Sequence, residues 1–117
     1  MDSPPGTSAF CPYYHEAVEL IGGRWTGAIL RAALSGVTHF SQFTAVIPGL
    51  SDRMLSERLK ELELAGIVER HVTPSTPVQV EYLVTEKGRA LAGVIEAISV
   101  WADRWLHDAV GSTSSHP

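Results

Sequence analysis

The chain lacks most of the features that mark an enzyme or a membrane protein. It has one cysteine, so a disulfide framework within the chain is excluded. No apolar run approaches the roughly 18 residues of a membrane span, and the first residues show no basic-then-apolar signal pattern. A glycine-rich phosphate loop, a Ser-His-Asp spacing and a pair of buried carboxylates are all missing. We therefore expect a cytoplasmic protein that is not an enzyme and has no cofactor.

Metal ligands are also scarce. Cys11, His15 and Glu19 follow one another at four-residue steps, which would place them on one face of a helix. Three candidates without a second cluster are a weak signal for a metal site. His107 lies four residues from Asp103 and is better explained as half of a surface pair near a helix end. The sequence predicts no bound metal.

Length and composition indicate one soluble domain. At 117 residues the chain can bury a modest core. Apolar residues make up 44% and charged residues 19%, as in ordinary globular proteins. Both ends are rich in Ser, Pro and Gly, so we expect disordered tails at residues 1–10 and 111–117. Residues 11–110 then form a single domain.

The charge distribution matters more than the total of −4. Residues 24–60 hold five Lys and Arg against two Asp and Glu, while acids outnumber bases on either side. Total charge governs solubility, whereas a local patch is what neutralises phosphates. Residues 24–60 are therefore the candidate DNA-facing segment, and a plain scatter of surface cations is the alternative.

Residues 51–65 predict an amphipathic helix that suits the DNA major groove. Its apolar positions recur at the spacing of one buried helical face: Leu55, Leu59 and Leu62. Its opposite side carries two cations and a hydroxyl: Arg53, Ser56 and Lys60. Ser51 is expected to be the N-cap, with Asp52 in the first turn and Gly66 after the end. One buried face and one outward cationic face fit a recognition helix.

The preceding residues complete a helix-turn-helix. A first helix is expected from Pro12 to Gly22-Gly23, and a second from about Arg24 to Leu34, with Trp25 as a packing anchor. A short third helix would start at the N-cap Ser41 and end at Ile47. Its predicted core positions are Phe43, Val46 and Ile47. The Pro48-Gly49 turn would then lead into the recognition helix.

A β-hairpin is predicted directly after the recognition helix. IVERHV at 67–72 and VQVEYLV at 78–84 are rich in β-branched residues, and the second alternates from Val78 to Val84. TPSTP at 73–77 has two prolines, which suit a hairpin tip. A hairpin in this position is a wing. The predicted fold class is mostly α with a small β-hairpin wing (α+β), a winged helix-turn-helix.

The last helix, expected from its cap Thr85 to Val110, carries an unusually long apolar stripe. Its members are Leu91, Val94, Ile95, Ile98, Trp101 and Trp105. A core this small cannot easily cover the whole stripe. We predict a dimer formed by the last helix together with Tyr13, Tyr14 and Val18 of the first helix. The alternative is a stripe that folds back on its own domain. Paired recognition helices one DNA turn apart would bind a pseudo-palindrome.

Several strings in order resemble the HxlR-type family of bacterial winged helix-turn-helix transcriptional regulators. They are CP at 11–12, ELIGGRWTGAILRAAL at 19–34, HFSQF at 39–43, LSDRMLSERLKELELAGIVER at 50–70, VEYLVTEKGRAL at 80–91, and the pair Trp101 and Trp105. No single string is decisive, but their order and spacing are specific. Together they span residues 11–106.

The resemblance implies a homodimer, joined through the first and last helices, that binds operator DNA. It also implies a recognition helix at Ser51–Ala65 and a wing loop at 73–79. The residues then expected at DNA are Ser41, Gln42, Ser51, Arg53, Met54, Ser56, Lys60, His71 and Gln79. This chain departs from the family at the wing, where Gln79 replaces a frequent Arg or Lys and Leu83 a frequently polar residue. His71 and Arg70 partly compensate, so a weaker phosphate grip with a shallower salt dependence is expected.

The lone cysteine has two interpretations. In some similar regulators the cysteine of the CP motif senses oxidants or electrophiles. Cys11 would stand at the start of the first helix, a common setting for reactive thiols. A small oxidant or electrophile is then the expected effector. A small residue that packs at the dimer interface is equally compatible with a free cysteine.

A second function class stays open at this point. A winged helix can dimerise or dock a partner protein without touching DNA. The acidic total and the cation-poor wing favour such an interaction module, whereas the cationic stripe of the predicted recognition helix disfavours it.

Overall fold

A computed structural model describes residues 9–106 as helices around a two-stranded hairpin. Residues 1–8 and 111–117 of the predicted tails, and residues 107–110 of the predicted domain, lie outside the described residues. The elements in chain order are α1 (Pro12–Ile21), α2 (Thr26–Leu34), α3 (Phe40–Val46), α4 (Asp52–Leu64), β1 (Val68–Thr73), β2 (Gln79–Val84), α5 (Glu86–Arg89) and α6 (Ala92–Trp105). Within residues 9–106, no helix combines the length and the apolar character needed to cross a bilayer.

The core lies between α2, α3, α4 and the base of the hairpin. Its most deeply buried side chains are Ile29, Leu30, Phe43, Leu55, Leu59, Leu62, Ile67 and Val68. The three leucines of α4 confirm the buried face predicted from their spacing. Each fully buried side chain of this size contributes about 1.5–3 kcal/mol, so this face anchors α4 to the domain.

Both ends of α4 are capped. Ser51 is the N-cap as predicted, because its hydroxyl accepts a hydrogen bond from the Met54 amide at 3.1 Å. At the other end the Lys87 ammonium donates to the Ala65 carbonyl at 2.7 Å. Gly66 follows with φ of 79°, a left-handed conformation that glycine adopts without a Cβ penalty. The helix is therefore held in length and position by both its own sequence and α5.

The predicted start of α3 was wrong by two residues. The N-cap is His39, and Ser41 is an exposed residue within the first turn. The Gln42 side-chain oxygen accepts the His39 amide at 3.0 Å and the Thr38 amide at 3.1 Å, which is half of a capping box. A side chain three residues ahead thus satisfies the N-cap amide, and the helix starts earlier than a serine cap implied.

The predicted core role of Val46 was also wrong. Phe43 and Ile47 are buried, but Val46 is 55% exposed. Val46 is the last residue of this seven-residue helix, and it lies at the edge of the face that Phe43 and Ile47 bury.

The start of α2 differs from the prediction as well. Trp25 has φ of 72°, the left-handed region, and α2 begins at Thr26 instead of Arg24. The Trp25 ring is half-buried against the core, as expected of a packing anchor.

The predicted hairpin is confirmed, but its strands β1 and β2 each begin one residue later than predicted, and Thr73 belongs to β1 and not to the tip. β1 and β2 pair antiparallel, with Val68 opposite Val84 at the base and Thr73 opposite Gln79 at the tip. Tyr82 and Val84 pack against the core, whereas Val78 lies beyond the ladder and is exposed. The Tyr82 amide donates to the Thr38 carbonyl at 2.8 Å, which ties the wing to the start of α3.

The single long helix predicted after Thr85 is in fact two helices. Thr85 caps α5 through the Gly88 amide, as expected, but α5 ends at Arg89 and α6 begins at Ala92. Gly88 is buried where a Cβ would overlap the Ile67 carbonyl oxygen. The chain must pass the hairpin base here, and it turns before it resumes a helical path.

Candidate nucleic-acid interface

The outward face of α4 carries the three predicted polar residues. Arg53, Ser56 and Lys60 are all exposed, while the leucines of the same helix are buried. Because that opposite face is anchored in the core, these side chains cannot rotate inward. The other two residues predicted at DNA in this segment serve the helix itself: Ser51 is the N-cap, and Met54 is half-buried against the core.

Two further residues share this face and were missed in the sequence. Glu57 and Leu64 stand four and eleven residues after Arg53, and both are exposed, Leu64 to 79%. The Nε atom of Arg53 lies 3.3 Å from a carboxylate oxygen of Glu57. The signal was the i, i+4 spacing of an arginine and a glutamate. The face therefore carries an acid beside its first cation.

The cationic segment 24–60 does not form one surface, which corrects the prediction. The Arg58 side chain is 18% exposed. Its Nε donates to the Arg24 carbonyl at 2.8 Å and its Nη1 to Glu61 at 2.9 Å. Arg31 lines the groove between α2 and α6. Within α4, the outward cations are Arg53 and Lys60.

The first turn of α3 lies beside β2. Ser41 and Gln42 are exposed there, and the Gln42 side-chain oxygen serves the cap. The Thr38 hydroxyl donates to Glu81 at 3.3 Å, and the His39 Nε2 lies 3.9 Å from the same carboxylate. These contacts hold the start of α3 next to the wing. Glu81 was not predicted, since its partner lies 43 residues away.

The loop of the wing offers hydroxyl and amide groups in place of cations, while the one arginine of the two strands, Arg70, is exposed on β1. Residues 73–79 contain no Lys or Arg. His71 and Gln79, the two wing residues predicted at DNA, are exposed, and the His71 Nε2 lies 2.9 Å from a Glu69 carboxylate oxygen. In register, His71 stands opposite Glu81. Both strands thus place an acid near this imidazole.

Cys11 is half-buried at the N-cap of α1 and carries a free thiol. Its carbonyl accepts the His15 amide at 2.9 Å, and the rings of Phe10 and His15 are 5.5 Å apart. Among residues 9–106, no three His, Cys, Asp or Glu side chains are grouped as a metal site would require.

We give the name α1/α6 surface to those residues of α1 and α6 that were predicted at the dimer interface and are exposed. They are Tyr13, Tyr14, Val18, Val94, Ile98, Trp101 and Trp105. Neither helix has a buried residue. Of the predicted stripe, Leu91 and Ile95 pack against the core of their own domain. The remainder does not fold back, and Trp101 and Trp105 are 56% and 61% exposed.

Comparisons with known proteins agree with this architecture. The family model for the HxlR-like helix-turn-helix matches residues 20–110. The HTH-type transcriptional regulator YvaP of Bacillus subtilis is 48% identical over 99 residues, 85% of this chain and 92% of YvaP.

Two solved structures are also similar. Reduced YodB of B. subtilis, a transcriptional regulator, has a TM-score of 0.73 at 47% identity. The match covers 82% of this chain and 94% of the YodB chain. The redox regulator HypR in its oxidized form has a TM-score of 0.75 at 35% identity. The match covers 80% of this chain and 96% of the HypR chain. Helix-turn-helix, wing and these likenesses together show that the chain belongs to the HxlR-like helix-turn-helix family of transcriptional regulators.

Proposed function

We propose that this regulator binds a pseudo-palindromic operator as a homodimer, with α4 of each protomer in the major groove. The observation that carries the proposal is the division of α4 into two faces. Leu55, Leu59 and Leu62 fix the helix in the core, and Arg53, Ser56 and Lys60 project from the other side. A helix held in this way presents side chains to base edges and phosphates.

The α1/α6 surface supports the dimer. Two tryptophans on α6 and two tyrosines on α1 are more than half exposed on one monomer, and aromatic rings exposed in this way are costly in water. A second copy of the chain supplies the same residues in a self-complementary contact, as two-fold interfaces require. Two α4 helices related by that axis would face consecutive turns of a duplex.

Cys11 is the proposed point of control by an oxidant or electrophile. YodB has been solved in diamide-treated and quinone-bound forms, and HypR is a redox regulator. With one thiol per chain, three products are open: a disulfide between protomers, a mixed disulfide, or an alkylated sulfur. When diamide forms the first, two Cys11 thiols lose two electrons and two protons, and diamide is reduced to its hydrazine.

Operator binding is tested on promoter fragments selected by footprinting. Arg53→Ala and Lys60→Ala should each weaken binding by about 1–3 kcal/mol where the native side chain meets a base edge. Arg31→Ala is the matched control, because it removes the same charge from α2 and should leave affinity unchanged. If the wild type shows no preference among fragments, the protein is an interaction module and the proposal is wrong.

Control through Cys11 is tested with Cys11→Ser. The wild type should release operator DNA after diamide or methylglyoxal, and the variant should stay bound. Release of both proteins to the same extent, or of neither, would exclude Cys11 as the sensor.

A further inference from the structure

Arg58 is the arginine of α4 that turns away from the outward face. Its position in the chain groups it with the DNA-facing cations, yet its guanidinium binds the loop between α1 and α2. The Nε–Arg24 carbonyl distance is 2.8 Å, and Nη1 is 2.9 Å from Glu61 on the same helix. Hydrogen bonds from a charged donor are among the stronger ones in proteins.

The residue that follows the acceptor carbonyl has an unusual backbone conformation. The Arg24 carbonyl belongs to the peptide that precedes Trp25, and Trp25 has a left-handed φ of 72°. A residue with a Cβ adopts this region only where its surroundings impose it. If Trp25 relaxed to a right-handed φ, the peptide between Arg24 and Trp25 would rotate and its carbonyl would leave Arg58.

The Trp25 ring makes the second connection. Its Cη2 atom lies 3.3 Å from the position that a Cβ on Gly49 would occupy. Gly49 has φ of 86° and belongs to the turn between α3 and α4. The loop that ends α1 therefore meets the recognition helix through Arg58 and the helix-turn-helix turn through Trp25.

We propose that Arg58 is a positioning residue for DNA recognition, acting through the Arg24 carbonyl. It sets α4 against the α1–α2 loop so that Arg53 and Lys60 meet the operator together. The same hydrogen bond links the recognition helix to the loop that follows α1, the helix that Cys11 precedes as N-cap. This inference rests on the proposed operator binding, and it assigns Arg58 no contact with DNA.

Salt dependence separates positioning from phosphate binding. Arg58→Gln should lower operator affinity at least about tenfold, the loss expected for a hydrogen bond with a charged donor. Because Arg58 neutralises no phosphate, the slope of log K against log salt and the affinity for random DNA should stay at wild-type values. Lys60→Gln is the control, and its slope should become shallower by about 0.9 for each phosphate that Lys60 neutralises in the wild type.

Arg58→Lys separates the effect of the charge from that of the hydrogen-bond geometry, since lysine keeps the charge and the fold but not the planar pair of donors. We expect operator affinity to fall as in Arg58→Gln. Wild-type affinity in Arg58→Lys, or a shallower salt slope in Arg58→Gln, would overturn the inference while leaving operator binding intact.

A measurement without DNA tests the hydrogen bond itself. Amide hydrogen exchange of residues 22–26 and 49–51 should be faster in Arg58→Gln than in the wild type. Unchanged exchange there would overturn the inference. Indifference of the wild type to operator fragments would instead refute the proposed function.

Discussion

On the outward face of α4 the Arg53 guanidinium lies 3.3 Å from the carboxylate of Glu57, one helical turn further on. The recognition face thus pairs its first cation with an acid. An exposed pair of this kind is worth about 0.3–0.5 kcal/mol, which is less than an ionic interaction with a phosphate. In the proposed complex we therefore expect the Arg53 guanidinium to leave Glu57 and to bind a DNA phosphate. The Glu57 carboxylate would then lie unpaired near the DNA backbone.

Glu57→Gln should consequently tighten DNA binding. The substitution removes a repelled charge and releases Arg53, so affinity at low salt should rise several-fold, with little change in stability. Fluorescence anisotropy on operator DNA over a series of salt concentrations measures this. Glu96→Gln on α6 is the control of equal charge and should have no effect. Equal or weaker binding by Glu57→Gln would mean that this face does not approach DNA.

Ser51 and Ser41 should respond differently to alanine. Ser51→Ala removes the hydroxyl that accepts the Met54 amide at the start of α4, and it should lower the free energy of unfolding by about 1 kcal/mol. Ser41 caps nothing, so Ser41→Ala should change stability by less than about 0.5 kcal/mol and weaken only DNA binding. Urea unfolding of both variants provides the comparison. Similar losses of stability would contradict the assignment of His39 as the N-cap of α3.

Gly88 should not tolerate a side chain. In Gly88→Ala the new Cβ would overlap the Ile67 carbonyl and come within 2.7 Å of the Val84 Cγ1. Overpacking of this kind costs about 1–3 kcal/mol. Gly27→Ala is the matched control, since its Cβ meets nothing nearer than 3.9 Å and α2 should gain about 0.5–1 kcal/mol. Thermal unfolding of the two variants should give shifts of opposite sign.

The two tryptophans of the α1/α6 surface should be required for the proposed dimer. Trp101→Ser with Trp105→Ser should convert the proposed dimer into monomers, because the apolar area that a second copy would cover is removed. Leu64→Ser removes an even more exposed apolar side chain from α4 and should leave the dimer intact. Sedimentation velocity at micromolar concentration distinguishes the two. A wild type that sediments as a monomer would refute the dimer.

Much of α4 was predictable because its signals are local. Leucines at helical spacing, a serine before the first turn and a glycine after the last are all recognisable within one segment. The hairpin was equally predictable, with β-branched runs on both sides of TPSTP. The cap of α3 was misassigned because two local signals competed there, and the glutamine of a capping box outweighed a serine.

The break between α5 and α6 was not predictable in the same way. The apolar stripe continues through Leu91 without interruption, so periodicity alone predicts one helix. The interruption comes from packing of Gly88 against the hairpin base, next to Ile67, which lies far earlier in the chain. The exposed remainder of the stripe, by contrast, follows from the small size of the domain.

Local sequence signals are sufficient to specify which helix carries the polar stripe, where the wing folds and which residues line the apolar face of α6, because periodicity, caps and turns act over a few residues. The packing of the helices establishes which charges of segment 24–60 are available to a ligand. Arg58 and Lys60 are two residues apart and alike in charge, yet one is bound to a carbonyl 34 residues away and the other faces solvent. A hydrogen bond at such a distance along the chain depends on how the helices pack, and no local pattern encodes it.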